Sequence, residues 1–208
     1  MILTRTPLHS TNTEMSFRIM KPKSAEVDVV ILFWDRVELT LKALANARRQ
    51  VGVKMHIWLV DQGSAPENLR RIREDCAGLT SVTIIEMGRN AGVPGGRNAG
   101  MRAGCAPVIV FLDNDAEFDG CDAFRITVER FEREPELAAI GYRVLNYDTG
   151  CDQDVDWVYP VALKGRRQEE FYATQFCGAG HALRRAAAHQ AGYYDEDLFF
   201  IAETLALR

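Results

Sequence analysis

Residues 108–115 read VIVFLDND, five apolar residues followed by an Asp-Asn-Asp triplet. A short continuous run of β-branched and large apolar residues is typical of a strand that is buried on both faces of a sheet. Open sheets of parallel strands bind their ligands at the carboxyl ends of the strands. The stretch therefore predicts a buried strand that carries Asp113 and Asp115 to a ligand-binding edge.

Three earlier segments repeat the pattern of this strand, at residues 27–34, 55–60 and 82–86. Helix-like spacing follows the first segment, and Ser64-Ala65-Pro66-Glu67 after the second has the pattern of a capping box that opens a helix. A glycine-rich turn after the third leads into a predicted helix near residues 95–104. Repeated strand–helix units with short loops predict an α/β fold with a mostly parallel, doubly wound sheet.

The pattern changes after the acidic triplet. A helix is expected around residues 121–134, and residues 146–172 are polar and irregular. Residues 172–177 are a candidate strand, and residues 183–190 a short helix that is stopped by Gly192. We interpret the second half as a smaller, substrate-adapting region rather than as more sheet.

The composition limits the classes of function. The 208 residues include 25 Lys and Arg against 29 Asp and Glu, a net charge of −4, so no general attraction to nucleic acid is expected. Five cysteines without a CxxC pair favour reduced thiols in a cytoplasmic protein. No apolar run approaches the roughly 18 residues of a membrane span, and docking on a membrane surface stays open. Residues 1–25 lack periodicity and predict a flexible N-terminal segment.

Acidic side chains at predicted strand ends are the candidate ligands. Asp113 and Asp115 lie two residues apart, and hard oxygen ligands at this spacing suit Mg²⁺ or Mn²⁺, which would bridge them to a diphosphate. The alternative is that the triplet is a solvated turn, a common use of Asp and Asn. Asp61 follows another strand, either as an acceptor for a base or ribose or as a loop carboxylate near a helix N-terminus.

A glycine-rich stretch at residues 88–100 permits close backbone approach and includes Asn90 and Arg97 as donors to phosphate or base. Its spacing matches neither a P-loop nor the dinucleotide fingerprint G-x-G-x-x-G, which disfavours both classes. His181 follows a second glycine-containing stretch, and a plain loop histidine is the favoured interpretation over a catalytic one.

Taken in order, these motifs resemble the family 2 glycosyltransferases, inverting enzymes of the GT-A fold. The resemblance covers residues 27–208 and is carried by Val60-Asp61-Gln62-Gly63-Ser64, Asn90-Ala91-Gly92, Gly95-Gly96-Arg97-Asn98-Ala99-Gly100, Leu112-Asp113-Asn114-Asp115 and Gly178-Ala179-Gly180-His181. It implies a Rossmann-like GT-A domain over residues 26–208, with a nucleotide-sugar half at about 26–118 and an acceptor half at about 119–208. Family members usually continue past the point that matches Arg208, so we expect this domain to be short at its C-terminus.

The resemblance also implies a reaction and its partners. The chain would use Mn²⁺ or Mg²⁺ to move a sugar from a nucleotide-sugar donor, with inversion, to a carbohydrate, lipid-linked or other hydroxyl acceptor, as in polysaccharide biosynthesis. Asp61 would contact the base or ribose, and Asn90 and Arg97 would lie near the nucleotide. Asp113 would support the ribose and the metal's hydration shell, and Asp115 would bind the metal.

An inverting transfer needs a carboxylate that takes the proton from the acceptor hydroxyl. The family usually has Glu-Asp here, with the Asp as base, whereas this chain has Glu203-Thr204. A threonine hydroxyl is no base at neutral pH, so Glu203 is the candidate, with Asp195 and Asp197 as alternatives. The same substitution raises a second hypothesis, a catalytically inactive nucleotide-sugar-binding or partner module. A sugar-1-phosphate nucleotidyltransferase is disfavoured because residues 33–39, after the first strand, contain no glycine.

Overall fold

The computed structural model describes residues 25–154 and 157–199. Four strand–helix units form its first part, as the sequence predicts. The strands are β1 (Val27–Phe33), β2 (Met55–Asp61), β3 (Val82–Glu86) and β4 (Val108–Asp113). The helices that follow them are α1 (Val37–Arg48), α2 (Pro66–Asp75), α3 (Gly92–Ala103) and α4 (Ala123–Arg133).

The second part adds two strands to the same sheet. It consists of β5 (Ala139–Gly141), a 3₁₀-helix (Val161–Arg166), β6 (Gly180–Arg184) and α5 (Arg185–Ala191). The sheet order is β3-β2-β1-β4-β6-β5, in which β6 runs antiparallel to both of its neighbours and β1 to β4 are parallel. The α/β class with a mostly parallel sheet flanked by helices is confirmed.

Three expectations for the second part were wrong. Residues 172–177 are not a strand; the strand that pairs with β4 begins at Gly180, and Leu183 belongs to it rather than to a helix. Additional sheet does form in this part, because the apolar residues around Ala139 and Ala182 pair with each other across β5 and β6. The helix that follows ends at Gly192 as predicted, with a left-handed φ of 82°.

Both faces of the sheet are covered, which accounts for the continuous apolar runs in the central strands. One buried cluster joins alternate residues of β1, such as Val29 and Ile31, to α1, α2 and α4. The other cluster joins Val30 on the opposite face to α3 and α5. The carboxyl edge of the sheet is therefore held by a core on each side. No helix among the described residues is long and apolar enough to cross a membrane.

A buried ion pair ties β1 to the distant α5. The Asp28 side chain is fully buried, and its Oδ2 accepts hydrogen bonds from Arg185 Nη2 and from the Ala106 backbone N–H, both at 2.7 Å. Its Oδ1 accepts from Trp58 Nε1 at 2.9 Å. The sequence pattern shows this aspartate only as one polar residue within an apolar run.

The predicted capping box at the start of helix α2 was wrong, because no described side chain caps this helix. The N-cap residue is Ala65, and the Ser64 hydroxyl instead accepts from the Asp35 backbone N–H at 2.8 Å. Asp35 Oδ1 accepts from the Ala65 backbone N–H and from Asn68 Nδ2, each at 2.9 Å, and these bonds lower the pKa of the Asp35 carboxyl. The β1–α1 and β2–α2 loops are thus joined at the carboxyl edge of the sheet.

Candidate functional site

The carboxyl ends of β2, β1 and β4 lie side by side. Asp61 pairs with Phe33, and Asp113 pairs with Leu32, so the two acids end the strands on either side of β1. Two strand spacings separate them, a backbone distance of about 10 Å. This edge is where an open α/β sheet binds its ligands.

The acidic triplet forms a turn that is anchored to the rest of the fold. The Ala116 backbone N–H donates to Asp113 O at 3.1 Å, and Asn114 Nδ2 donates to Thr40 Oγ1 on α1 at 3.1 Å. The side chains of Asp113 and Asp115 are 42% and 50% exposed. The acidic triplet thus does form a turn, and this turn places two carboxylates that are about half exposed to solvent at the end of a buried strand.

Each of these carboxylates faces an arginine. Arg97 on α3 is buried, and its Nη2 lies 3.3 Å from Asp113 Oδ1 and donates to Gly178 O at 2.8 Å. Arg36, at the N-terminus of α1, donates from Nη1 to Asp115 Oδ2 at 2.9 Å. Buried charges need such partners. Arg97 therefore supports Asp113 from within the fold, whereas the Arg36 pair lies at the surface.

The other predicted nucleotide contacts make local bonds to backbone. Asp61 is buried, and its Oδ1 accepts from the Ser64 backbone N–H at 2.9 Å. Asn90 Oδ1 accepts from the Gly92 backbone N–H at 2.9 Å, at the start of α3. The structure thus brings Arg97, the triplet and the end of β2 to one edge, with Asn90 in the loop beside it.

Gln62 is a site residue to which the sequence gives no role of its own. Its Nε2 donates to Gly92 O at 2.8 Å, and its Oε1 accepts from the Ala91 backbone N–H at 3.0 Å. A Cβ at position 96 would lie only 2.3 Å from Gln62 Nε2, so a larger residue there would displace the Gln62 amide from its bonds to the start of α3. The signal in the sequence is the polar pair Asp61-Gln62 facing a helix that begins with glycines.

His181 is not a loop histidine. It lies buried in β6, its Nε2 is 2.6 Å from the Tyr194 hydroxyl, and its ring stacks at 4.6 Å on both Phe111 and Phe176. Burial lowers the pKa of His181 well below its ordinary value of 6.5, and the nearby Arg97 charge lowers it further. The ring is therefore a neutral structural element beneath the acidic edge.

The depressed pKa of His181 makes stability fall in acid. An unfolded His181 takes up a proton as the pH falls below 6.5 and the folded one does not, so this loss of stability is absent above that pH and grows progressively as the pH falls from 6.5 toward the lower pKa of the folded state. We expect His181 to lower the free energy of unfolding by about 1.4 kcal/mol between about pH 7.5 and about pH 5.5. Urea unfolding of wild type and His181→Gln at both pH values measures the difference.

His56, whose pKa burial also lowers, is present in both proteins and cancels in that comparison. His189→Gln is the matched control, since it removes an exposed histidine. An identical pH slope in wild type and His181→Gln would contradict the assignment.

The acidic triplet fits a hard cation that arrives with its ligand. Within residues 25–154 and 157–199, no three His, Cys, Asp or Glu side chains are grouped to hold a metal by themselves. Mg²⁺ typically keeps several waters and is bound by one or two carboxylates together with substrate phosphates. Asp113 and Asp115 supply that donor set, with oxygen ligands, partial exposure and neither sulfur nor imidazole among the ligands.

The predicted base lies outside the described residues, because Glu203 follows residue 199, so its assignment stays a prediction. The two alternatives, Asp195 and Asp197, occupy a turn in which the Asp197 backbone N–H donates to Asp195 Oδ1 at 3.1 Å. The segment after this turn returns to the site, since the Val93 backbone N–H at the start of α3 donates to Phe199 O at 3.2 Å. Phe199 thus lies against the start of α3.

The sheet order, the antiparallel strand β6 beside β4 and the flanking helices are those of an α/β protein of the GT-A class. Residues 28–192 match the sequence profile of Glycosyl transferase family 2. The chain belongs to this family of glycosyltransferases. No curated protein sequence shows significant similarity to it.

Solved glycosyltransferase structures share the fold. The mannosyltransferase PcManGT from Pyrobaculum calidifontis, in complex with GDP-Man and Mn²⁺, has a TM-score of 0.64 and 18% identity, over 84% of this chain and 48% of that one. S. aureus TarS 1-349 in complex with UDP has a TM-score of 0.63 and 14% identity, over 84% of this chain and 51% of that one. The chain spans about half the length of these structures, and the likeness at such identities concerns the fold.

Proposed function

We propose that the chain is a metal-dependent glycosyltransferase domain that moves a sugar from a nucleoside-diphosphate sugar to an acceptor hydroxyl with inversion. The observation that carries the proposal is the pair of half-exposed carboxylates, Asp113 and Asp115, at the end of buried strand β4, each opposed by an arginine. Family membership and the nucleotide, nucleotide-sugar and metal ligands named for the structural relatives support the choice of donor.

Each donor-side residue has a distinct proposed role. Asp115 and Asp113 would hold a Mn²⁺ or Mg²⁺ ion, which would neutralise charge on the departing nucleoside diphosphate. Arg97 fixes the Asp113 carboxylate from the buried side. Asp61 accepts a hydrogen bond from the base or ribose, and Asn90 orders the loop that lies beside the nucleotide.

The acceptor side is proposed on less direct grounds. A carbohydrate, lipid-linked or other hydroxyl acceptor would lose its proton to Glu203 as it attacks the anomeric carbon. Synthesis of a polysaccharide in the cytoplasm, the setting that the sequence predicts, fits this chemistry. A second candidate function is an inactive nucleotide-sugar-binding module, and the observation that favours it is Thr204 at the position where the family usually has Asp.

A thermal-shift screen of UDP, GDP, dTDP and CDP sugars, with and without Mn²⁺, tests the donor half. Ligand at about 100 times its Kd stabilises the native state by about 2.7 kcal/mol. For a chain of this size that corresponds to a rise in Tm of about 5–10 °C. We expect one nucleotide base to produce the rise and Mn²⁺ to be required for it. A chain that responds to none of these donors would contradict the proposal.

Product analysis separates the two candidate functions. An active enzyme releases nucleoside diphosphate from the donor identified by the screen, by transfer or by slow hydrolysis. An inactive module binds the donor and releases none, and Thr204→Asp would then restore release. Robust release by the unmodified chain would eliminate the inactive module.

A further inference from the structure

The Arg36–Asp115 pair has the geometry of an exchangeable contact. A single bond of 2.9 Å joins Arg36 Nη1 to Asp115 Oδ2, and the two side chains are 60% and 50% exposed. Exposed ion pairs of this kind contribute little to stability. Guanidinium has five N–H donors in a planar fork, so one bond to Asp115 leaves most of the fork available to a second anion.

The position of Arg36 in the chain is unfavourable on two counts. Asp35 and Arg36 both have left-handed backbone, with φ of 55° and 45°, a conformation that is strained for residues other than glycine. Arg36 is also the N-cap of α1, where its side chain makes no capping bond and its positive charge faces the positive end of the helix dipole. Neither feature helps α1 to form.

The surrounding structure nevertheless holds Arg36 in place. Asp35, immediately before it, is fixed by its bonds to Ser64, Ala65 and Asn68 in the next loop. The carbonyl of Arg36 accepts from both the backbone N–H and the hydroxyl of Thr40, at 3.0 and 3.1 Å. Strain that is maintained in this way is typical of functional sites, and here its result is a guanidinium beside the candidate metal ligand.

The charges at the end of β4 indicate a role for the Arg36 guanidinium. Arg97 opposes Asp113 and Arg36 opposes Asp115, so these four described side chains carry no net charge before any ligand binds. A divalent cation alone adds two positive charges, and a donor diphosphate alone adds two negative ones. Only when both bind together does the net charge of these four side chains and their ligands stay at zero.

We infer that Arg36 is the exchangeable counter-cation of the donor site: it occupies Asp115 before ligand binds and moves onto the donor diphosphate when a divalent cation takes that carboxylate. The inference rests on the proposed function and assigns Arg36 a positioning and binding role within it. Its consequence is that metal and diphosphate bind cooperatively. The metal displaces Arg36 from Asp115, which makes Arg36 available to the diphosphate, and the diphosphate draws Arg36 away, which makes Asp115 available to the metal.

The test is a pair of affinities measured for each variant. Mn²⁺ alone is titrated by electron paramagnetic resonance of the free ion. The nucleoside diphosphate whose sugar gives the thermal shift is titrated calorimetrically at saturating Mn²⁺. In Arg36→Gln we expect Mn²⁺ alone to bind about fivefold more tightly, because Asp115 has lost its competitor. We expect the diphosphate to bind about 10- to 100-fold more weakly, because a charge-assisted contact is lost.

Two further variants make the result specific. Arg36→Gly removes the guanidinium and relieves the left-handed strain, so it stays folded and is expected to shift both affinities in the same directions as Arg36→Gln. Arg71→Gln is the matched control, since it removes a similarly exposed arginine whose partner is Glu38 and is expected to leave both affinities unchanged.

The outcomes distinguish this inference from the proposed function. Opposite shifts of the two affinities in both Arg36 variants support it. The inference is overturned if the wild type binds Mn²⁺ and diphosphate but Arg36→Gln has the same affinities as Arg71→Gln, or if both affinities are reduced in Arg36→Gln. Either result leaves the proposed function standing. A wild-type chain that binds neither ligand overturns both.

Discussion

Asp28→Ala is expected to lower the free energy of unfolding by about 3–5 kcal/mol, the usual effect of breaking a buried ion pair by removing one partner. The carboxylate is fully buried, and its loss would leave the Arg185 charge without its counter-ion and remove the acceptor of Arg185 Nη2, the Trp58 indole N–H and the Ala106 backbone N–H. A domain has only about 5–15 kcal/mol of stability in total. Equilibrium unfolding in urea, followed by circular dichroism, measures the change.

Two comparisons show whether the buried charge is the cause. Asp75→Ala removes an exposed acid at the end of α2 and is expected to change the free energy of unfolding by no more than about 0.5 kcal/mol. The double variant Asp28→Ala with Arg185→Met removes both charges, and we expect it to be more stable than Asp28→Ala alone, since no uncompensated guanidinium is left. A loss below about 1 kcal/mol in Asp28→Ala would contradict the prediction.

Asp28 also shows why the first part of the fold could be predicted and this contact could not. The parallel strands β1 to β4 are buried on both faces, and that environment needs the continuous apolar runs that the sequence shows. One aspartate inside such a run does not identify its partner. Arg185 lies 157 positions along the chain, and only the closed fold brings it to the carboxylate.

The second part was harder to predict because its local pattern is ambiguous. β6 is a five-residue strand that includes a histidine and an arginine, and short apolar runs of this kind suit either a strand or a buried helix. Its conformation is decided by antiparallel pairing with β4, which places His181 opposite Phe111. That pairing joins segments about 70 residues apart, and no local propensity encodes it.

The loops at the binding edge follow the same rule. Ser64 has the local pattern of a helix cap, but Asp35 in another loop accepts the bond from the Ala65 backbone N–H. The Ser64 hydroxyl in turn accepts a bond from the Asp35 backbone N–H. The positions of Asp61 and Asp113 could be predicted because each follows directly from the end of a strand. The arginines that oppose the acidic triplet could not be paired with it in advance, since they come from α3 and from the start of α1.

Asp115→Asn is expected to abolish the Mn²⁺ dependence of nucleotide binding. The substitution keeps the shape of the side chain and removes the charge that we propose binds the metal. Loss of outer-shell partners alone typically lowers metal affinity 10- to 100-fold, so loss of a direct carboxylate ligand should weaken the Mn²⁺-supported affinity by about 100-fold or more. Calorimetric titration of the nucleoside diphosphate, with and without Mn²⁺, measures it.

The metal-free titration separates this effect from damage to the fold. Without Mn²⁺, Asp115→Asn removes a negative charge from the site and frees Arg36 from its present partner, so the weak binding of diphosphate should stay the same or increase. A misfolded variant would lose binding under both conditions. Asp119→Asn makes the same change of charge four residues further on, at an exposed position, and should keep the wild-type response to Mn²⁺.

A persistent Mn²⁺ response in Asp115→Asn would mean that the cation is held elsewhere on the chain. Asp113 alone is a poor substitute, because Arg97 lies 3.3 Å from its Oδ1 and competes with a cation there from the buried side. In the part of the chain that the structure describes, the cation opposite Asp115 is Arg36, a surface arginine that can move away. Of the two carboxylates, Asp115 is therefore the more available to a metal. We expect Asp115→Asn to weaken Mn²⁺-supported binding more than the same substitution at Asp113 would.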